Sequence, residues 1–172
     1  MMLRRKRISW FAAFLGALVV FAGSVHATDI GGMISETLTI TEDSQLVDDV
    51  ACVVNDAPCI AIGAPNVTLE LNGFTMTGQA DPQTACNGGG SGPEVGISVD
   101  TQTGVDIRGP GLVQQFRGHG IRLLTSSGAT ITRVTISTNC FSGIFVSGGS
   151  DHHVNRNVVV RNGNASNPCG GI

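Results

Sequence analysis

Basic side chains are scarce in this chain, with ten Lys and Arg against 13 Asp and Glu. Four of the ten form the cluster Arg4-Arg5-Lys6-Arg7, so the residues from Thr28 onward keep six bases against 13 acids, a net charge of about −7. A surface of that sign argues against a nucleic-acid partner, because nucleic-acid affinity comes largely from Lys and Arg contacts to phosphate. Tyrosine is absent and the single tryptophan, Trp10, lies in the N-terminal segment. No apolar run reaches the roughly 20 residues that a membrane span requires; the longest, Ile8 to Gly23, has 16. Preceded by the basic cluster and followed by Val25-His26-Ala27, that run reads as a secretory signal peptide, residues 1–27, cut after Ala27. No cysteine directly follows it, which argues against a lipoprotein anchor, and Arg4-Arg5 lacks twin-arginine surroundings. The expectation is a secreted or periplasmic protein of the cell envelope, with no membrane attachment after cleavage.

Helical periodicity is also missing. Beyond residue 27 the apolar residues alternate with polar ones, as in Val67-Thr-Leu-Glu-Leu71, Val105-Asp-Ile-Arg108 and Ala129-Thr-Ile-Thr132. This is the period of a strand with one buried face. Gly, Asn, Ser and Asp fill the gaps, as turns require.

What the sequence does have is a repeat, the first thing to seek in a chain of this kind. Gly-Ile-x-aliphatic occurs at 96-GISV-99, 120-GIRL-123 and 143-GIFV-146, and the sequence closes on 170-GGI-172. The isoleucines are 24, 23 and 28 residues apart, and a fainter copy, 59-CIAI-62, lies 37 residues before Ile97 across a Gly-rich insertion. Leu69, Ile107, Ile131 and Val154 repeat with steps of 38, 24 and 23, and Phe74, Leu112, Ile136 and Val159 with the same steps. Three short strands in each repeat of roughly 23 residues describe an all-β solenoid, a parallel β-helix of about four coils stacked ~4.8 Å apart. Residues 28–50, with the strand-like Thr37-Leu-Thr-Ile-Thr41, are expected to cap it, and residues 51–172 to form the coils. Ile172 is the first residue of a new inward strand. An uncovered parallel edge invites association, so this end is expected to continue, to self-associate or to meet an edge-capping partner.

The phrase 66-NVTLELNGFTMTG-78, the recurring Gly-Ile strands and 133-RVTISTNCFSGI-144 resemble the bacterial right-handed parallel β-helix repeat proteins of the pectate-lyase-like fold. The resemblance spans roughly residues 50–172. It implies a right-handed solenoid and, by analogy of fold alone, a place among carbohydrate-binding or polysaccharide-active proteins.

All five cysteines lie beyond the leader, where disulfides persist, and their odd number leaves one over. Cys52 and Cys59 are close in sequence. Cys140 and Cys169 each precede a Gly-Ile on neighbouring coils, and the coil rise falls within the Cα range for a disulfide. Cys86 is left over, with Cys86–Cys140 the competing pair.

Candidate chemistry is sparse. With Ile121 and Leu123 inward, Arg122 points out, and its ladder mates are Ala61, Ser98 and Phe145. In sugar-active β-helices the groove lies over this strand, so Ser98, Asp100, Arg122 and Phe145 form a candidate sugar-contact strip. Phenylalanine would stack on a sugar ring, and arginine would pair with a uronate carboxylate. Gly118-His119-Gly120-Ile121 is similar to the Gly-His-Gly motif of polygalacturonases and makes His119 the one weak catalytic candidate. Inverting hydrolysis needs two carboxyl groups, yet the positions one coil earlier hold Glu94 and Val95 where that family has two aspartates. The family's Asn-Thr-Asp and Arg-Ile-Lys motifs are absent as well. Calcium needs several oxygen ligands together, and Asp100 and Asp106 fall on different strands, so no cofactor or metal motif is evident. His152 and His153 are adjacent and face opposite ways on a strand, which does not suit a shared metal. Asn139 and Asn162, one coil apart, are expected to satisfy each other's amides. The function expected is a carbohydrate-binding or cell-surface structural module for a polysaccharide, acidic ones included. The alternative is a lyase or epimerase, or less readily a hydrolase, whose site is completed by further coils.

Overall fold

The computed structural model describes residues 27–80, 94–163 and 171–172. All but the last residue of the expected leader, residues 81–93 of the Gly-rich insertion with Cys86, and Cys169 therefore lie outside the described residues. Among the described residues the protein is all-β, and every strand pairing is parallel. The chain returns to the same place every pass, an arrangement compatible with a parallel β-helix.

One sheet stacks β2 (Leu38–Ile40), β4 (Ile60–Ile62), β7 (Ile97–Asp100), β10 (Ile121–Ser127) and β13 (Ile144–Ser150). Its register places Ile60, Ile97, Ile121 and Ile144 in one line and Ile40, Ile62, Val99 and Leu123 in another. The other sheet folds about β3 (Ser44–Cys52). One arm runs through β5 (Thr68–Glu70), β8 (Asp106–Arg108), β11 (Thr130–Thr132) and β14 (His153–Asn155). The second arm runs through β6 (Thr75–Thr77), β9 (Leu112–Gln114), β12 (Thr135–Ser137) and β15 (Val158–Val160), while β1 (Thr28–Ile34) lies on β3. The core is the space these three faces enclose. Leu46, Leu69, Ile107, Ile131, Ile97 and Ile121 are all fully buried there.

Two of the three aliphatic columns read from the sequence are the observed ones, since Leu69, Ile107, Ile131 and Val154 pair in that order. The third is corrected at two of its four members, Phe74 and Leu112. The inward line is Met76, Val113, Ile136 and Val159, while Leu112 pairs with Thr75 and Thr135 on the outer side. Leu112 and Val113 are adjacent aliphatics, and alternation alone does not choose between them. Phe74 sits half-buried at the corner before β6 and packs against the core from there.

The repeating glycine before each isoleucine has a steric cause. A Cβ at Gly120 would lie 2.5 Å from Ile136 Cγ2, and one at Gly143 would lie 2.5 Å from Val159 Cγ1. Only glycine lets this corner close over the inward side chain of the next face. Asparagines bind the passes together: Asn139 Oδ1 accepts the Phe116 N–H at 3.0 Å, and Asn139 Nδ2 donates to Asn162 Oδ1 at 2.9 Å. Cys52 and Cys59 form a disulfide with Cα atoms 5.8 Å apart. Cys140 is also disulfide-bonded, and both partners considered for it lie outside the described residues. A disulfide fits a non-reducing compartment. Among the described residues no helix is long and apolar enough to cross a membrane.

Candidate functional site

The outer side of the β4–β7–β10–β13 sheet gathers the side chains singled out in the sequence. Arg122 pairs in register with Ser98 on one side and Phe145 on the other, and Ala61 continues the line. Asp100 lies on the same side, one outward position further on, opposite Leu124. The guanidinium of Arg122 donates to Ser98 Oγ from Nη2 at 3.1 Å, and Ser98 is only 4% exposed beneath it. Arg122 is thus held by the hydroxyl of its ladder neighbour, and among the described residues no acid pairs with it.

His119 belongs to this group. Its ring stacks on Phe145 with centroids 4.4 Å apart and planes 18° from parallel, and Phe141 lies against it at 5.5 Å. Nδ1 accepts the backbone N–H of Ser142 at 3.2 Å, so the neutral ring carries its proton on Nε2. Burial pushes the imidazole pKa down to about 4, and the charge of Arg122 pushes in the same direction. At neutral pH the site is therefore a neutral imidazole stacked on a phenyl ring, beside one guanidinium. Phe141 was not foreseen. It lies three residues before Ile144, where the preceding pass has Gly118, so no repeat column pointed to it.

Glu94 does lie one pass before His119, as the offset implied: Gly118 donates to Glu94 O and Gly96 to His119 O. Its carboxylate is occupied elsewhere. Glu94 is fully buried, accepts Gln79 N–H at 3.1 Å on Oε1, and meets Arg117 Nε at 2.5 Å on Oε2. Arg117 reaches on to Asn55 Oδ1 at 3.3 Å. This group fastens the corner. Asp106 is on a different face, bound to Arg108, which also reaches Glu70 at 3.2 Å. The two acids hold the Arg108 guanidinium above its ordinary pKa, the Asp106 hydrogen bond most of all.

His152 turns its Nδ1 to the Ala129 N–H at 3.3 Å, whereas His153 is exposed on the outer side of β14. The adjacent histidines thus part as the strand period requires. Among the described residues no three His, Cys, Asp or Glu side chains come together as a metal site. No protein-family model matches the chain, and neither a curated protein nor a solved structure matches it.

Proposed function

We propose that this is an exported, right-handed β-helix of the pectate-lyase-like kind, about four coils long, that binds a polysaccharide on the outer side of the β7–β10–β13 strands. Export rests on the leader-like residues 1–27 and agrees with the Cys52–Cys59 disulfide. The observation that carries the reading is the continuous strip of Ser98, Arg122, Phe145 and His119, with Asp100 beside it. An aromatic ledge presents a flat apolar surface to the C–H face of a sugar ring. A guanidinium next to it offers paired donors to a uronate carboxylate or to hydroxyls.

Binding without turnover is favoured over catalysis. His119 has its Nδ1 engaged by backbone, and the carboxylate one pass before it, Glu94, is committed to Arg117. General acid–base work needs a group whose pKa lies near the working pH, and the His119 imidazole is held at about 4. The test is a glycan array probed with the purified protein, alongside a polyuronate digest. Retention of acidic glycans that is lost in Arg122→Ala and Phe145→Ala, with no new sugar ends, supports the binding module. Unsaturated ends released in the digest would overturn it in favour of a lyase.

A further inference from the structure

Charge is sorted along the stack. Between residues 28 and 107 the sequence holds 12 Asp and Glu and no Lys or Arg, and from residue 108 on it holds six Arg and one acid, Asp151. Each pass lies on the one before, so order in the sequence becomes order along the axis. Three arginines are engaged: Arg108 with Asp106 and Glu70, Arg117 with Glu94, and Arg122 with Ser98. Arg133, Arg156 and Arg161 are exposed, and none has an acidic partner among the described residues.

Those three sit at the strand ends of one arm. Arg133 precedes β12, and Arg156 and Arg161 flank β15. At the far end of the same arm, β3 carries Asp48 and Asp49, both exposed. Thr75, Thr77, Leu112, Gln114, Thr135 and Ser137, the outward residues between, bear no charge. Exposed apolar side chains mark both ends: Met33 at 73% and Val47 at 46% near the acids, Val158 at 51% and Val160 at 44% near the arginines. Met33 belongs to this face by register, through Ala51, Thr77, Gln114 and Ser137 to Val160.

We infer that the outer side of this β3–β6–β9–β12–β15 arm joins two copies of the chain, antiparallel about a two-fold axis. With the axis along the strands, Asp48 and Asp49 of one copy then face Arg156 of the other, while Met33 covers Val160, which shares its column. A two-fold contact of this kind is self-complementary and closes at two copies. Laying like ends together would set acid on acid, which opposes association. From β1, which carries Met33, to β15 the face is about 24 Å deep at ~4.8 Å per strand and about 10 Å wide at ~3.3 Å per residue. That is well below the roughly 800 Å² per partner of a stable complex. The dimer is therefore weak and reversible, and its exposed charges make it sensitive to salt.

Sedimentation velocity of the purified protein, over a hundredfold range of concentration and at two ionic strengths, tests this. The mass should rise to two copies and stop, with dissociation about tenfold easier at the higher salt. Arg156→Glu alone should weaken the dimer about tenfold. Asp48→Arg combined with Arg156→Glu in one chain should restore it, because both opposing charges are exchanged together. Melting temperatures of the variants show that folding is intact. A monomer at every concentration overturns the inference. So does a mass that grows past two, as head-to-tail stacking would give, or a double variant as weak as the single one.

Discussion

Replacing His119 with glutamine tests the electrostatics of the aromatic strip through stability. The imidazole is held at about 4 in the folded protein, chiefly by burial, whereas in an unfolded chain it titrates near 6.5. Between those values the unfolded chain takes up a proton that the folded protein refuses. Stability present above pH 6.5 is therefore lost as the pH falls toward 4. At ~1.4 kcal/mol per pH unit the gap corresponds to at most about 3.4 kcal/mol. The ring is only partly buried, and solvent screening reduces this to roughly 1.5 kcal/mol. For a domain of this size that is about 5 °C in melting temperature. Melts followed by circular dichroism at pH 7.5 and pH 4.5 measure it in the wild type and in His119→Gln. The glutamine oxygen can still accept the Ser142 N–H, and the carboxylates titrate alike in both proteins. Their difference therefore isolates the imidazole: the wild type should lose about 5 °C more on acidification. Equal losses in the two proteins would refute the argument that burial keeps this ring neutral.

Three further substitutions bear on the frame that carries the strip. Glu94→Ala leaves the Arg117 guanidinium and the Gln79 N–H without their buried acceptor and should cost about 3 kcal/mol in urea unfolding; a loss below about 1 kcal/mol would mean the pair does not hold the corner. A Cβ at Gly109 would lie 1.8 Å from Arg133 O, whereas one at Gly73 would meet nothing within 4 Å, although Gly73 has φ +89°. Gly109→Ala should thus cost roughly 3 kcal/mol or more by forcing two passes apart, and Gly73→Ala only about 1 kcal/mol of backbone strain. Equal costs would show that close approach is not what selects glycine there.

How much of this was legible in the sequence follows from which interactions repeat. A ladder writes itself into the chain every 23 or 24 residues, so Ile97, Ile121 and Ile144 revealed both their pairing and the outward line of Ser98, Arg122 and Phe145. The Leu112–Val113 doublet failed because two adjacent aliphatics satisfy the pattern equally, and the hydrogen-bond register of β9 with β6 and β12 decided between them. The Cys52–Cys59 bridge was legible because only six residues intervene. Glu94 was legible as a position and not as a role: the buried contact with Arg117 joins residues 23 apart that no repeat column contains.

His119 shows where periodic reasoning stops. Taken along the chain it is a turn residue before an inward isoleucine, and its backbone does occupy that corner. Its side chain follows a different rule, reaching across one pass to lie on Phe145 and to cap Ser142. Corners lack the strict in-out alternation of strands, so their side chains can select partners in the layer above or below without leaving a periodic trace. Asn139 acts in the opposite sense, capping the Phe116 N–H of the pass before it, and His152 does the same for Ala129. The corners are thus where this fold has freedom to vary chemistry while the ladders stay fixed. His119 and Phe141, both corner residues, turn an otherwise polar strand face bearing one phenyl ring into an aromatic ledge beside Arg122.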